Sequence, residues 1–147
     1  TIARAIENTN LSPRNVAIIG PHGMMNPEEE RRFIERHKIR VFGIPEVVEK
    51  GVTDVCKEAV EIASSETTAV YLTVDINVLD SAFAPGTCDP EPGGLTSREL
   101  LQGLAIVSQA SIEAMDVVEF SPPYDMSGIT ARTACRVVLD VLANLKR

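Results

Sequence analysis

Strand-length apolar runs alternate with helical periodicity along the chain. Asn15-Val16-Ala17-Ile18-Ile19-Gly20 reads as a buried strand closed by a glycine. Asn26 as cap, Pro27 at the first helical position and Glu28, Glu29 and Glu30 in the first turn then open a helix running to about His37. Arg40–Ile44 is a second short strand. From Pro45 to about Ser64, apolar residues at Val48, Val52, Val55, Ala59 and Ile62 keep a helical rhythm, with Gly51 placed to break it into two pieces. Thr68–Asp75 has the β-branched and aromatic content of a central parallel strand, apolar on both faces. A long loop from about Ile76 to Leu95 carries Pro85, Gly86, Pro90, Pro92, Gly93 and Gly94. Thr96 and Glu99, at capping-box spacing, open a helix to about Gln109. Ile112–Phe120 is a further strand, ended by Pro122 and Pro123, and Gly128–Leu145 is an amphipathic helix with basic residues at its close.

The order α-β-α-β-α-β-α-β-α implies an α/β fold, a three-layer α/β/α arrangement with a mostly parallel sheet between helices. The 147 residues fit a single domain, 1–147, of a size that buries a core without disulfides. Charge narrows the partners. Lys+Arg total 14 against 21 Asp+Glu, a formal charge of −7, which argues against nucleic acid or an anionic membrane and suits cationic substrates or metal ions. No apolar run approaches the roughly 18 residues of a membrane span. Cys56, Cys88 and Cys135 are widely spaced with no CxxC pair, so the expectation is a reducing, cytoplasmic setting, with Cys56 and Cys135 as small core residues. The first residues lack a basic segment followed by an apolar one, so no secretory leader is expected.

Chemistry in such sheets gathers beyond the carboxyl ends of the strands. Three segments place polar residues there: Asp75-Ile76-Asn77 with Asp80, Glu119-Phe120-Ser121 with Tyr124-Asp125, and Gly20-Pro21-His22-Gly23-Met24-Met25. If strand geometry persists, Asp75 and Asn77 share a face and can offer oxygens to a hard divalent cation; the same triplet also serves as a turn cap. Glu119 ends an apolar strand, and its carboxylate is either paired with a structural cation or aimed at a ligand. Asp116, earlier in that strand, is expected to bind backbone or a helix cation. His22 is either a solvent-reaching loop residue or a site residue, and His37 complements a helix end. The chain has no G-x-S-x-G, no P-loop and no G-x-G-x-x-G, so a nucleotide-binding reading has no phosphate loop to rest on.

Two stretches together are far more specific than either alone. Val74 to Glu99, with Asp75-Ile76-Asn77, Asp80, Ala84-Pro85-Gly86-Thr87 and Pro90-Glu91-Pro92-Gly93-Gly94-Leu95, closely resembles the D-I-D-x-x-D-P-x-x-A-P-G-T-x-x-P-x-P-G-G-L-x-x-R-E signature of the ureohydrolases, the agmatinase and arginase family. Asp116-Val117-Val118-Glu119-Phe120-Ser121-Pro122-Pro123-Tyr124-Asp125 resembles the agmatinase-branch segment D-x-V-E-x-S-P-P-Y-D. The resemblance covers the chain but only the C-terminal half of a family member, and residues 1–6 resemble the helix after the family's third metal-binding region.

The resemblance implies hydrolysis of a guanidino compound, agmatine-like, to an amine and urea by a hydroxide bridging a Mn²⁺ pair. It implies Asp75 as the metal-bridging ligand, Asn77 in the place of a chelating aspartate, and Glu119 as acceptor of the substrate guanidinium, with His22 and Asp80 as further site-lining candidates. The family's histidine and D-A-H-x-D ligands are expected outside this chain. Asn77 departs from the pattern: an amide offers one neutral oxygen and no chelating charge. The chain alone is therefore expected to be inactive. Its partners are expected to be a guanidino substrate and either the missing N-terminal half or further copies in a homo-oligomer. The rival expectation is a non-catalytic remnant acting as an assembly or regulatory subunit.

Overall fold

Every strand run folds into a parallel pair. In the computed structural model, which describes residues 2–23 and 27–145, β1 (Ala17–Ile19) pairs with β2 (Arg40–Phe42), and β3 (Val70–Asp75) pairs with β4 (Ile112–Val118). The helices α1 (Ile2–Asn8), α2 (Glu28–His37), α3 (Ile44–Lys50), α4 (Val52–Ser64), α5 (Ser97–Val107) and α6 (Ile129–Asn144) alternate with them, giving the expected α/β fold. The cap expected at Asn26 and the basic close expected at Lys146 and Arg147 lie outside the described residues. The long apolar-periodic segment does divide at Gly51, whose φ of +83° a helix interior does not allow. Thr96 and Glu99 form the expected capping box at the start of α5.

The two pairs differ from a single covered sheet. Ala17 and Ile19 of β1 pack against the main core, while Ile18 faces α1 and α2 across an apolar cleft of about 460 Å³ lined also by Phe33 and Ile34. This pair is thus covered on both faces. β3 instead alternates: Leu72 and Val74 turn toward the core, and Tyr71, Thr73 and Asp75 are exposed. The register pairs Tyr71 with Ala114 and Thr73 with Asp116, so both strands show one polar-bearing side. The strand expected to be apolar on both faces is therefore half-buried among the described residues. Asp116 takes a hydrogen bond from the Tyr71 hydroxyl across this open side, in place of the expected backbone or helix cation.

One apolar cluster joins both pairs. Phe42, Val47, Val55, Val74, Ile76, Leu79, Leu104, Val137 and Val141 are among its buried members, contributed by strands, helices and the start of the long loop. Cys56 is buried there, which pushes its thiol up to about 11, whereas Cys135, expected in the core, is exposed on α6.

A charge cluster closes the β2–α3–α4 corner. Glu46 pairs with Arg40 and, at 2.8 Å, with Lys50; Glu58 meets Lys50 at 3.1 Å and Arg40 at 3.3 Å. The Arg40 guanidinium, then the Lys50 ammonium, hold the Glu46 carboxyl down to about 2 from an ordinary 4.5. A carboxyl lowered by folding stabilises the fold above its unfolded value, and that stability is lost as pH falls. Melting temperature is thus expected to drop between about pH 4.5 and about pH 2, and Glu46→Gln to flatten that part of the profile. Thermal melts of the two proteins in acid are the check; parallel profiles would assign the acid sensitivity to other groups.

Candidate active site

The long loop is shaped by its first and last residues. Leu79 and Leu95 form a parallel bridge, with Leu95 N–H donating to Val78 O at 2.8 Å and Asp80 N–H to Leu95 O at 2.9 Å. Only glycine allows this approach at position 94, where a Cβ would lie 2.5 Å from the Asp80 nitrogen. Asp80 staples the same loop: its carboxylate accepts from Ala82 N–H at 2.8 Å and Gly93 N–H at 2.7 Å. Those two donors, Ala82 first, pull its carboxyl below the usual range. Asp80 is accordingly engaged in holding the loop and is not among the residues lining the cavity beside it.

That cavity, about 260 Å³, opens between the carboxyl ends of β1 and β3. His22 lines it from the turn after β1, Asp75 and Asn77 from the end of β3, and Asp89 and Glu91 from the folded-back loop. Strand geometry does not carry Asp75 and Asn77 onto one face. The chain turns at once into a 3-10 turn, Ile76–Val78, anchored by the fully buried Ile76. Asp75 caps this turn, accepting from Asn77 N–H at 2.8 Å. The turn-cap reading of this triplet is therefore correct in the structure, and it leaves both side chains on the cavity. Asn77 Oδ1 and His22 Nε2 are buried there with no hydrogen-bond partner among the described residues.

Glu119 stands one residue beyond Val118, the register partner of Asp75. Its φ of +64° is left-handed, a conformation costing a non-glycine residue on the order of 1 kcal/mol. Neighbouring contacts impose it: Phe120 bridges antiparallel to Thr87, and Ser121 N–H donates to Gly86 O at 2.8 Å. The long loop thus clamps the chain just past Glu119 and turns an exposed carboxylate out of the strand. Asp125 in the same segment accepts from Thr130 N–H at 3.2 Å and Ala131 N–H at 2.8 Å, capping α6.

The electrostatics tie these groups together. Partial loss of surrounding water, and then the negative charge of Glu119, push the Asp75 carboxyl above its ordinary value, while Asn77 N–H and His22 pull the other way. Two carboxylates that repel are thus neighbours, and one of them, Asp75, lines the cavity, a setting that attracts a cation. Asp75, Asn77 and His22 are brought together in the lining; Glu119 is next to Asp75 and, like Asp80, is not among the lining residues. Asp89 and Glu91 are lining residues that the sequence patterns did not single out, because only the fold-back at Gly94 delivers them there.

This chain belongs to the arginase family, whose model matches residues 1–143. It is 37% identical over 142 residues to the guanidinopropionase of Pseudomonas aeruginosa, covering 97% of this chain and 44% of that protein. It is 44% identical over 102 residues to the agmatinase of Proteus mirabilis, covering 69% and 33%. The proclavaminate amidino hydrolase from Streptomyces clavuligerus shares its fold, with a TM-score of 0.86, 34% identity and coverage of 97% of this chain and 46% of that one. The chain spans less than half the length of these relatives.

The residues present do not make a manganese centre by themselves. Among the described residues no group of three or more His, Cys, Asp and Glu side chains could hold a metal ion. Asp75 and Asn77 offer a few oxygens where a hard divalent ion takes about six. Calorimetry on this chain alone is expected to show no binding of two Mn²⁺ equivalents at micromolar affinity. Two equivalents bound that tightly would place the centre elsewhere in the chain.

Proposed function

We propose that this chain forms the guanidinium-binding side of a Mn-dependent ureohydrolase that converts a guanidino compound and water into urea and an amine. The observation that supports it is Glu119, forced into a left-handed turn by the loop clamp and set beside Asp75, which lines the cavity. A guanidinium presents donors in a planar fork, and a carboxylate accepts two of them in parallel. Glu119 thereby orients the guanidinium carbon toward the Asp75 side of the crevice, the positioning that attack on that carbon needs. Metal ions, which activate water in such enzymes, would be bordered here by Asp75 and Asn77 and otherwise held by side chains outside this chain. Relatives named guanidinopropionase and agmatinase resemble the chain to a similar extent, so similarity alone does not choose the substrate's tail. Urea release from a panel of guanidino compounds, by a protein carrying this chain at its relatives' length, tests the reading; release from none of them removes it.

A second reading is a non-catalytic assembly subunit. It is favoured by the open side of β3, where Tyr71 is exposed, and by Leu139 and Leu142, exposed on α6. Sedimentation of the chain as a monomer across micromolar concentrations would count against it.

A further inference from the structure

We infer that the cleft between α1, α2 and β1 binds a small amphiphile, a linear apolar body ending in an ammonium group. This site is independent of the ureohydrolase chemistry. Its lining shares only Ile18 with the cavity beyond the carboxyl ends of β1 and β3.

Neither covering helix closes onto the strand. α1 and α2 bury no residue fully. The apolar side chains they offer, Ile2 and Ala3 from α1 and Phe33 and Ile34 from α2, are half-buried around an opening of about 460 Å³. The sequence of α2 explains the gap: Phe33 and Ile34 are the only apolar residues in Glu28–His37, too narrow a stripe to seat a helix along its length. The Phe33 ring is held as a wall by the His37 ring, with centroids 4.2 Å apart. Ile18 lies at the base and helices stand on either side, each about 10–12 Å across with its side chains. Such a slot admits a linear body end-on and not a broad protein surface. Its volume falls in the range of small-molecule sites, roughly 300–1,000 Å³. Apolar walls give water few hydrogen-bond partners, so hydrocarbon is the favoured occupant.

The rim sets the sign of the head group. Glu29 and Glu30, exposed in the first turn of α2, line the cleft, and no Lys or Arg is among its described lining residues. Glu28 beside them is taken by Arg32 at 2.5 Å, whereas neither Glu29 nor Glu30 forms an ion pair among the described residues. The N-terminus of α2 contributes roughly half a positive charge, which two carboxylates outweigh. An ammonium at the rim gains charge-assisted hydrogen bonds from them, and a carboxylate head meets like charge.

The experiment titrates this chain with n-octylammonium, n-octanoate and the shorter n-alkylammonium ions, by calorimetry and by NMR of the Ile18 and Ile34 methyl groups. Octylammonium is expected to bind one-to-one and to shift both methyl groups. Each methylene from butyl to octyl is expected to tighten binding by about fourfold. Octanoate is expected to bind at least about tenfold more weakly, and added salt to narrow that gap. Glu29→Gln with Glu30→Gln is expected to narrow it by at least about threefold at low salt. Ala3→Phe fills the slot from α1 and is expected to abolish binding. Should that variant fail to fold, Glu29→Lys with Glu30→Lys, both at exposed positions, decides the matter: the preference is expected to reverse toward octanoate. Octylammonium that binds a folded Ala3→Phe variant unchanged, or is lost with Glu91→Gln, occupies the other cavity and overturns the inference. Equal binding of amine and carboxylate, or no binding at millimolar probe, also overturns it. None of these outcomes touches the ureohydrolase reading, which rests on Glu119 and urea release.

Discussion

In a metal-loaded protein carrying this chain at its relatives' length, Glu119→Gln is expected to lose most of its turnover while keeping its fold and metal content. The amide matches the carboxylate in size, and the left-handed backbone at Glu119 is set by the Thr87–Phe120 bridge and the Ser121–Gly86 hydrogen bond, neither of which uses the side chain. The variant therefore tests chemistry and leaves packing alone. The guanidinium loses a charged partner, and one of its two parallel hydrogen bonds meets an NH₂ donor. Removing one partner of a desolvated charge pair costs about 2–5 kcal/mol, or roughly 30-fold to several-thousand-fold in kcat/KM. Steady-state urea release, with metal content measured on the same samples, is the check. A Gln variant within threefold of the parent would make Glu119 a structural carboxylate.

Asn77→Asp is expected to act in the opposite sense. Asn77 lines the cavity and its Oδ1 is buried without a hydrogen-bond partner, so the oxygen at this position has no donor among the described residues. A carboxylate there adds one negative charge and a second oxygen to the pair formed with Asp75, and the affinity of oxygen sites for hard cations rises with ligand charge. In the same metal-loaded protein, Mn²⁺ affinity and urea release at limiting metal are both expected to rise by about tenfold or more, on the order of 1.4 kcal/mol. Metal titration of the two proteins, followed by rates at matched occupancy, separates a gain in binding from a gain in turnover. An Asp variant no better than Asn in either measurement would show that position 77 is not a metal ligand. The new carboxylate would lie close to Asp75, so without metal the variant is expected to be less stable than the parent, and the difference to close when Mn²⁺ is added.

Both expectations start from residues that the sequence already marked. The D-x-N triplet and the V-E-F-S-P-P-Y-D segment were legible because each couples a chemistry-bearing side chain to local backbone signals: a strand end, a turn cap, a pair of prolines. The α/β alternation was legible for the same local reason, as were the Thr96–Glu99 capping box and the break at Gly51. Each depends on neighbours a few residues away, and period, capping and backbone preference act at that range.

What the tertiary structure alone decided is where those pieces meet. Asp75 and Asn77 share the cavity through a 3-10 turn seated on buried Ile76, and not through strand alternation. Asp80, alike in type to Asp75, is occupied by the backbone of Ala82 and Gly93, a distinction set by a loop closure thirteen residues long. Asp89 and Glu91 reach the cavity, and Cys135 faces outward, because of how loop and helix dock. Strand pairing also lay beyond the patterns: alternation predicts one sheet, yet the described strands form two pairs, one covered on both faces and one open. Local sequence sets the conformation of each segment through short-range sterics and hydrogen bonds. Which segments become neighbours depends on burying apolar surface between residues far apart in the chain, and no periodicity within one segment encodes that.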